Sequence, residues 1–170
     1  MLSHELMDHY AVLIVFVNVF ASSLGLPLPA TPTLMLAGAG IAFSSDGLPS
    51  TSAQIGILVG SAVTGGALAD LFWFQGGRCF GERTFERLMP RLNVIHATGS
   101  LPERREVRML LFARFVPGLA FISVLLCGAR AVRLRSFFLH DCAGIGLWAL
   151  AALAAGALFA STVIGASSAT

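Results

Sequence analysis

Apolar residues fall into four long regions separated by polar stretches. The first runs from Tyr10 to Phe43 and is interrupted by GLPLPATP at Gly25–Pro32. The second runs from Gln54 to Gln75, the third from Met109 to Ala129 and the fourth from Phe137 to Ala160. SSDGLPSTSA, between the first two, has the composition of a turn. The second and fourth regions are each close to the ~20 residues that carry a helix across a hydrocarbon core. They predict two ordinary transmembrane spans, over 54–77 and 136–160.

The other two regions have the wrong length for spans. The third is too short for two crossings, which take about 40 residues. Yet Arg108 precedes it and Arg130, Arg133 and Arg135 follow it. A single crossing would put one arginine cluster on the wrong side, because basic residues mark the cytoplasmic face. Entry and exit on the same face keep both clusters inside, which predicts a re-entrant hairpin over 109–129. Pro117 and Gly118 supply its break, one by removing a backbone donor and the other by permitting unusual dihedrals. The first region mirrors it. Pro27, Pro29 and Pro32 cannot all sit inside one regular helix, and no basic residue flanks either end. It reads as a hairpin over 10–43, entered from the opposite face. The expected fold is therefore an all-α integral membrane protein, an inverted repeat of two opposed re-entrant hairpins each followed by a transmembrane helix. Such repeats place a site near the midplane, where broken backbone is tolerated only beside protein or a watery cavity.

Composition supports the membrane reading. The chain is 56% hydrophobic with a mean hydropathy of +0.81, and 12% of its residues are charged, about half the share in soluble domains. A nucleic-acid surface is a poor reading of the eleven basic residues. All are arginine, none precedes Arg78, and they sit beside apolar spans. Residues 78–108 read as a cytoplasmic amphipathic segment, with Phe80, Phe85, Leu88 and Leu92 near one face. Cys79, Cys127 and Cys142 have no metal or disulfide spacing. MLSHELMDHY lacks the positive start of a signal peptide, so the first apolar run is expected to be retained. Gly56, Gly60 and Thr64, and the patch Ala143, Gly144 and Gly146, read as helix-packing faces.

Few residues in the apolar regions can carry chemistry. Arg114, in LLFARFVPGLAF, offers a planar donor fork for phosphate or carboxylate. A charge at that depth usually faces a cavity or a partner, although snorkelling to the interface is open to it. Asp70, in GGALADLFWFQGGR, lies toward the cytoplasmic end of the second region, ahead of Arg78, and it or Asp141 could pair with Arg114 or relay protons. Asp141 either pairs with Arg114 or serves as a helix-start carboxylate. Thr31 either offers a hydroxyl at the first break or caps a helix beginning at Pro32. No nucleophile–base pattern, zinc spacing or phosphate loop is present, so neither an enzyme, a metal nor a cofactor is expected.

These motifs resemble the DedA family, whose domain is also called VTT or SNARE-associated Golgi protein. The matching pieces are GLPLPATPTLMLAGA at Gly25–Ala39, GGALADLFWFQGGRCFG at Gly65–Gly81, ARFVPGLAFISVLLCGA at Ala113–Ala129 and FFLHDCAGIGLWA at Phe137–Ala149. The resemblance implies two opposed re-entrant hairpins and movement of lipids, either undecaprenyl phosphate or phospholipid, often coupled to the proton-motive force. It makes Arg114 the motif arginine before F-x-P-G, and Asp70 the motif acid. Where many members carry acids around the first proline motif, this chain has Ser22 and Thr31. Where many have a second arginine after P-G, it has Ala120.

The expected function is translocation of a lipid with an anionic headgroup across the bacterial cytoplasmic membrane, by a multi-pass protein. The residues expected along the path are Arg114, Asp70, Thr31, Pro117, Gly118, Pro27, Pro29, Arg78 and Asp141. Membrane lipids are the expected partners, with a homo-oligomer as a further option and no nucleic acid. The alternatives are an ion- or proton-coupled small-solute transporter and a non-transporting membrane-homeostasis scaffold.

Overall fold

A computed structural model describes residues 2–43, 48–88, 111, 114–115, 119–130 and 132–167. Among them are five helices and no strand: α1 (Leu2–Ser23), α2 (Ala30–Phe43), α3 (Leu48–Leu88), α4 (Leu119–Ala129) and α5 (Leu134–Ser167). Two helices contain stretches long and apolar enough to cross a membrane, Thr51–Cys79 in α3 and Leu134–Val163 in α5. At 1.5 Å per residue, α2 and α4 extend only about 21 and 17 Å, well short of the ~30 Å hydrocarbon core.

The first break is set by Gly25, whose φ of +98° lies in the left-handed region. The Gly25 N–H reaches back to the Ser22 carbonyl and the Leu26 N–H to the Ala21 carbonyl. That pair of bonds closes a helix C-terminus on a left-handed residue. Leu26–Pro29 then runs without helix, and the Thr33 N–H bonds the Pro29 carbonyl to start α2. Pro32 sits in the first turn, where the missing donor has no partner to lose. Because α2 starts at Ala30, Thr31 lies within that turn rather than capping a helix from Pro32. The Thr33 hydroxyl donates to Pro29 O at 2.9 Å and accepts from Asn18 Nδ2 at 3.1 Å, fastening α2 to α1.

Two boundaries differ from the sequence reading. Helix α3 continues through Arg78 to Leu88, where GERTFERL holds no proline and several good helix formers. Helix α5 begins at Leu134, so Asp141 lies about two turns inside it. The helix-start role for Asp141 therefore fails. Pro117 and Gly118 lie outside the described residues; Arg114 and Phe115 form a turn just before α4.

The short helices are held by the long ones. The two broadest helix contacts are α2 on α5 and α4 on α3. In the first, a Cβ on Gly38 would strike the Leu153 backbone, and one on Gly156 the Met35 backbone. In the second, a Cβ on Gly77 would strike the Leu125 backbone, and one on Gly128 the Phe74 backbone. Only glycine allows backbones so close, which is how helices associate where lipid removes the hydrophobic drive. By contrast, among the described residues nothing lies within 4 Å of the added Cβ at Gly56 or Gly60, so that stripe seats none of the described helices.

Two cores result. One joins Val15, Val19, Leu34, Leu58, Ala149 and Leu153 from four helices. The other centres on Phe74 and Phe137, stacked at 4.4 Å, with Val124, Cys127 and Val132. Helix α1 rests on α3, where Ser61 Oγ donates to Val12 O at 2.8 Å. The outward face carries Tyr10, Leu13, Leu36, Phe72, Leu139, Leu158 and Phe159 in the open. An apolar exterior over a packed interior is the arrangement a hydrocarbon solvent favours.

Candidate functional site

Between the first break and the start of α4 lies an open cavity of about 1080 Å³. Its wall includes the whole first break, from Ser22 to Pro32, with Pro27, Pro29 and Thr31 among it. Asp70 and Trp73 come from α3, Arg114 and Phe115 from the turn before α4, Ala120 and Phe121 from α4, and Trp148, Ala151, Ala152 and Ala155 from α5. Trp73 is held edge-on to Phe121, with centroids 4.7 Å apart. The lining is mainly apolar, with polar groups confined to a few places.

Arg114 is the focus of those polar groups. Its side chain is 10% exposed and turned inward, so it does not snorkel to an interface. Nη2 donates to Asp70 Oδ2, and Nη1 donates to Ser23 Oγ at 3.1 Å. Asp141 Oδ1 lies 3.6 Å from Nη2 on the far side, outside the cavity lining. The single guanidinium thus ties together the end of α1, the middle of α3 and the second turn of α5. Both carboxylates are buried, Asp70 at 4% and Asp141 at 2% exposure. A carboxylate so placed stays ionised only when paired; deleting one partner of a buried pair typically costs about 3–5 kcal/mol.

The structure therefore brings together Arg114, Asp70 and Asp141, and places Thr31, Pro27 and Pro29 along the same cavity. It does not bring Arg78 there. That guanidinium lies over the Phe74 ring at 5.7 Å from its centroid, outside the lining. Ser23, Trp73 and Trp148 are wall residues that the sequence reading passed over. Ser23 has one usable signal: it is the last helical residue before a proline-rich break at membrane depth. Among the described residues, no group of three His, Cys, Asp or Glu side chains is arranged to hold a metal ion.

A family model for the VTT domain matches residues 26–158. The chain belongs to the DedA family. The matched stretch takes in the first break from Leu26 on, α2, α3, α4 and most of α5, so Asp70, Arg114 and Asp141 all lie within the DedA domain, while Ser23 lies just ahead of it. No curated protein and no solved structure matches the chain. As a DedA protein it is a membrane protein, and among the described residues α3 and α5 are the helices long and apolar enough to cross a membrane.

Proposed function

We propose that this protein moves an anionic lipid headgroup, of a phospholipid or a polyprenyl phosphate, across the bacterial cytoplasmic membrane past Arg114. The observation that carries the reading is a buried guanidinium set in the wall of a large, mainly apolar, open cavity. A volume of about 1080 Å³ is at the top of the range for small-molecule sites. It accommodates a headgroup with the first part of its chains. Arg114 uses two of its nitrogens on Ser23 and Asp70, and a guanidinium has further N–H donors to offer a phosphate. The indole and phenyl surfaces of Trp73, Trp148 and Phe121 suit the apolar remainder. The work is transport, with lipids as partners, and involves no covalent chemistry or nucleic acid.

The same reading makes the protein multi-pass, with two re-entrant hairpins entering from opposite faces. The glycine contacts support it. Met35 and Gly38 of α2 meet Leu153 and Gly156 of α5; Leu125 and Gly128 of α4 meet Phe74 and Gly77 of α3 in the same reciprocal way. Each pair keeps the same spacing, so α2 corresponds to α4 and α5 to α3. Carrying that register along the chain sets Pro27 against Pro117 and Leu24 against Arg114. It also sets Ala30 against Ala120, Thr31 against Phe121 and Ala152 against Trp73, and both members of each of these three pairs line the cavity. A cavity lined by equivalent residues of two halves lies on their pseudo-two-fold axis, where inverted-repeat transporters keep their sites.

The test uses proteoliposomes with headgroup-labelled lipid and an impermeant quencher. Wild-type protein should move lipid between leaflets, and Arg114→Ala should lose that activity while keeping its helical spectrum. Unchanged translocation in Arg114→Ala would sink the reading. Asp70 in the cavity wall also favours a second reading, a cation- or proton-coupled solute carrier. Solute uptake in the same vesicles without lipid movement would select it.

A further inference from the structure

One guanidinium faces two carboxylates at the centre of this protein. Arg114 donates to Asp70 and lies 3.6 Å from Asp141. Both acids are buried in helices apolar enough to span a membrane. With both ionised, the cluster would hold an uncompensated negative charge at a depth where one charge already costs about 2.5–3.5 kcal/mol or more. Two carboxylates competing for one cation in such surroundings do not both stay ionised.

The two acids are not equivalent. Asp70 accepts a hydrogen bond from Arg114 and lines the cavity. Asp141 does not line the cavity, lies beyond hydrogen-bond distance of the guanidinium, and its Oδ2 is buried without a hydrogen-bond partner among the described residues. The groups facing it are Arg114 from the turn before α4, Asp70 of α3 across the shared guanidinium, the Cys127 thiol of α4 and its own neighbour Cys142. At 2% exposure and away from the cavity lining, it offers a hydrated cation no open approach. A proton has no such restriction.

We propose that Asp141 is a proton-binding site: it carries a proton in the state seen here, and its charge decides where Arg114 points. With the proton on, the cluster is neutral and Arg114 stays on Asp70 and Ser23 at the cavity wall. When the proton leaves to water, ionised Asp141 draws the guanidinium back across the 3.6 Å gap, off the wall. The unpartnered Oδ2 then gains a donor. Uptake of the proton returns Arg114 to the cavity. The proton site itself does not depend on the cargo being a lipid; only the consequence for transport rests on the function proposed above.

Infrared difference spectroscopy on the purified full-length protein in lipid nanodiscs tests this directly. At pH 7 the wild type should show the C=O stretch of a protonated carboxyl group, sensitive to deuterium exchange. Asp141→Asn should lose that band. Asp141→Glu, which keeps a carboxyl group, should shift it, and Asp70→Glu should leave its position unchanged. Asp70→Asn should also lose it, because Arg114 then belongs to Asp141 alone. No band in the wild type would overturn the proposal, as would a band that survives Asp141→Asn or one that moves with Asp70→Glu. If Asp141→Asn fails to fold, the two Glu variants decide alone. Failure of lipid translocation by the wild type would remove the proposed function and leave this band in place.

Discussion

Replacing glycine with alanine should have opposite signs at two kinds of position in this protein. At Gly56 and Gly76 an added Cβ meets nothing within 4 Å. The substitution there keeps only the gain in helix propensity, worth at most about 0.8–1.0 kcal/mol, and less where lipid already enforces backbone hydrogen bonding. At Gly128 the added methyl would meet the Phe74 carbonyl oxygen, carbon and Cα together, with the latter two near 3.0 and 3.1 Å. A backbone cannot rotate out of the way, so α4 must move off α3. Overpacking of this kind costs about 1–3 kcal/mol, which exceeds the propensity gain and leaves a net loss of about 1–2 kcal/mol. Gly38, Gly77 and Gly156 meet backbone in the same fashion and should behave alike. Equilibrium unfolding in mixed micelles, monitored by circular dichroism against denaturing detergent, measures the difference. If Gly128→Ala and Gly156→Ala were as stable as Gly56→Ala, the close helix approach on which the two-fold correspondence rests would be wrong.

Arg114→Ala strips Asp70 of its counter-charge and should destabilise the fold by about 3–5 kcal/mol in the same assay; replacing Asp70 with Asn in that background should recover much of the loss. Thr33→Val removes the acceptor for Asn18 Nδ2, for an expected loss of about 1 kcal/mol, and an unchanged midpoint would show that this bond does not hold the first hairpin. Gly25→Ala forces a side chain into a left-handed backbone and should cost about 1–2 kcal/mol, read as a lowered unfolding midpoint. An impermeant maleimide should label the exposed Cys79 from the cytoplasmic face and leave buried Cys127 untouched; labelling of Cys79 from the outer face would invert the proposed topology.

The parts of the fold that sequence reveals are those where a local rule acts alone. The two long apolar helices follow from length. The break at Gly25–Pro29 follows from prolines that no helix interior tolerates. Arg114 and Asp70 stand out because charges inside apolar runs are few, and two such groups of opposite sign invite pairing. What sequence hides depends on the partner rather than on the neighbours in the chain. Gly56, Gly60 and Thr64 have a regular spacing, yet among the described residues no other helix approaches an added Cβ at either glycine, whereas Gly38 and Gly156, which do seat helices, look unremarked in the sequence. Ser23 is an ordinary helix residue until α1 ends beside Arg114. Asp141 reads from sequence as either a partner of Arg114 or a helix-start carboxylate, because its preceding residues are mixed in character. The helix in fact begins earlier, at Leu134, and this turns the acid from an end-of-helix group into an interior one.

The pairing of α2 with α5 also constrains how the protein can be made. The residues that seat α2, around Leu153 and Gly156, are made only after α3 and α4. Helix α3 can settle on α1, and later receive α4, while synthesis is still under way. Helix α2, too short to cross alone, lacks its main packing partner until α5 is made. During most of its biogenesis the first hairpin is therefore an unfinished clasp, and whatever membrane machinery inserts this chain must shelter α2 until α5 arrives.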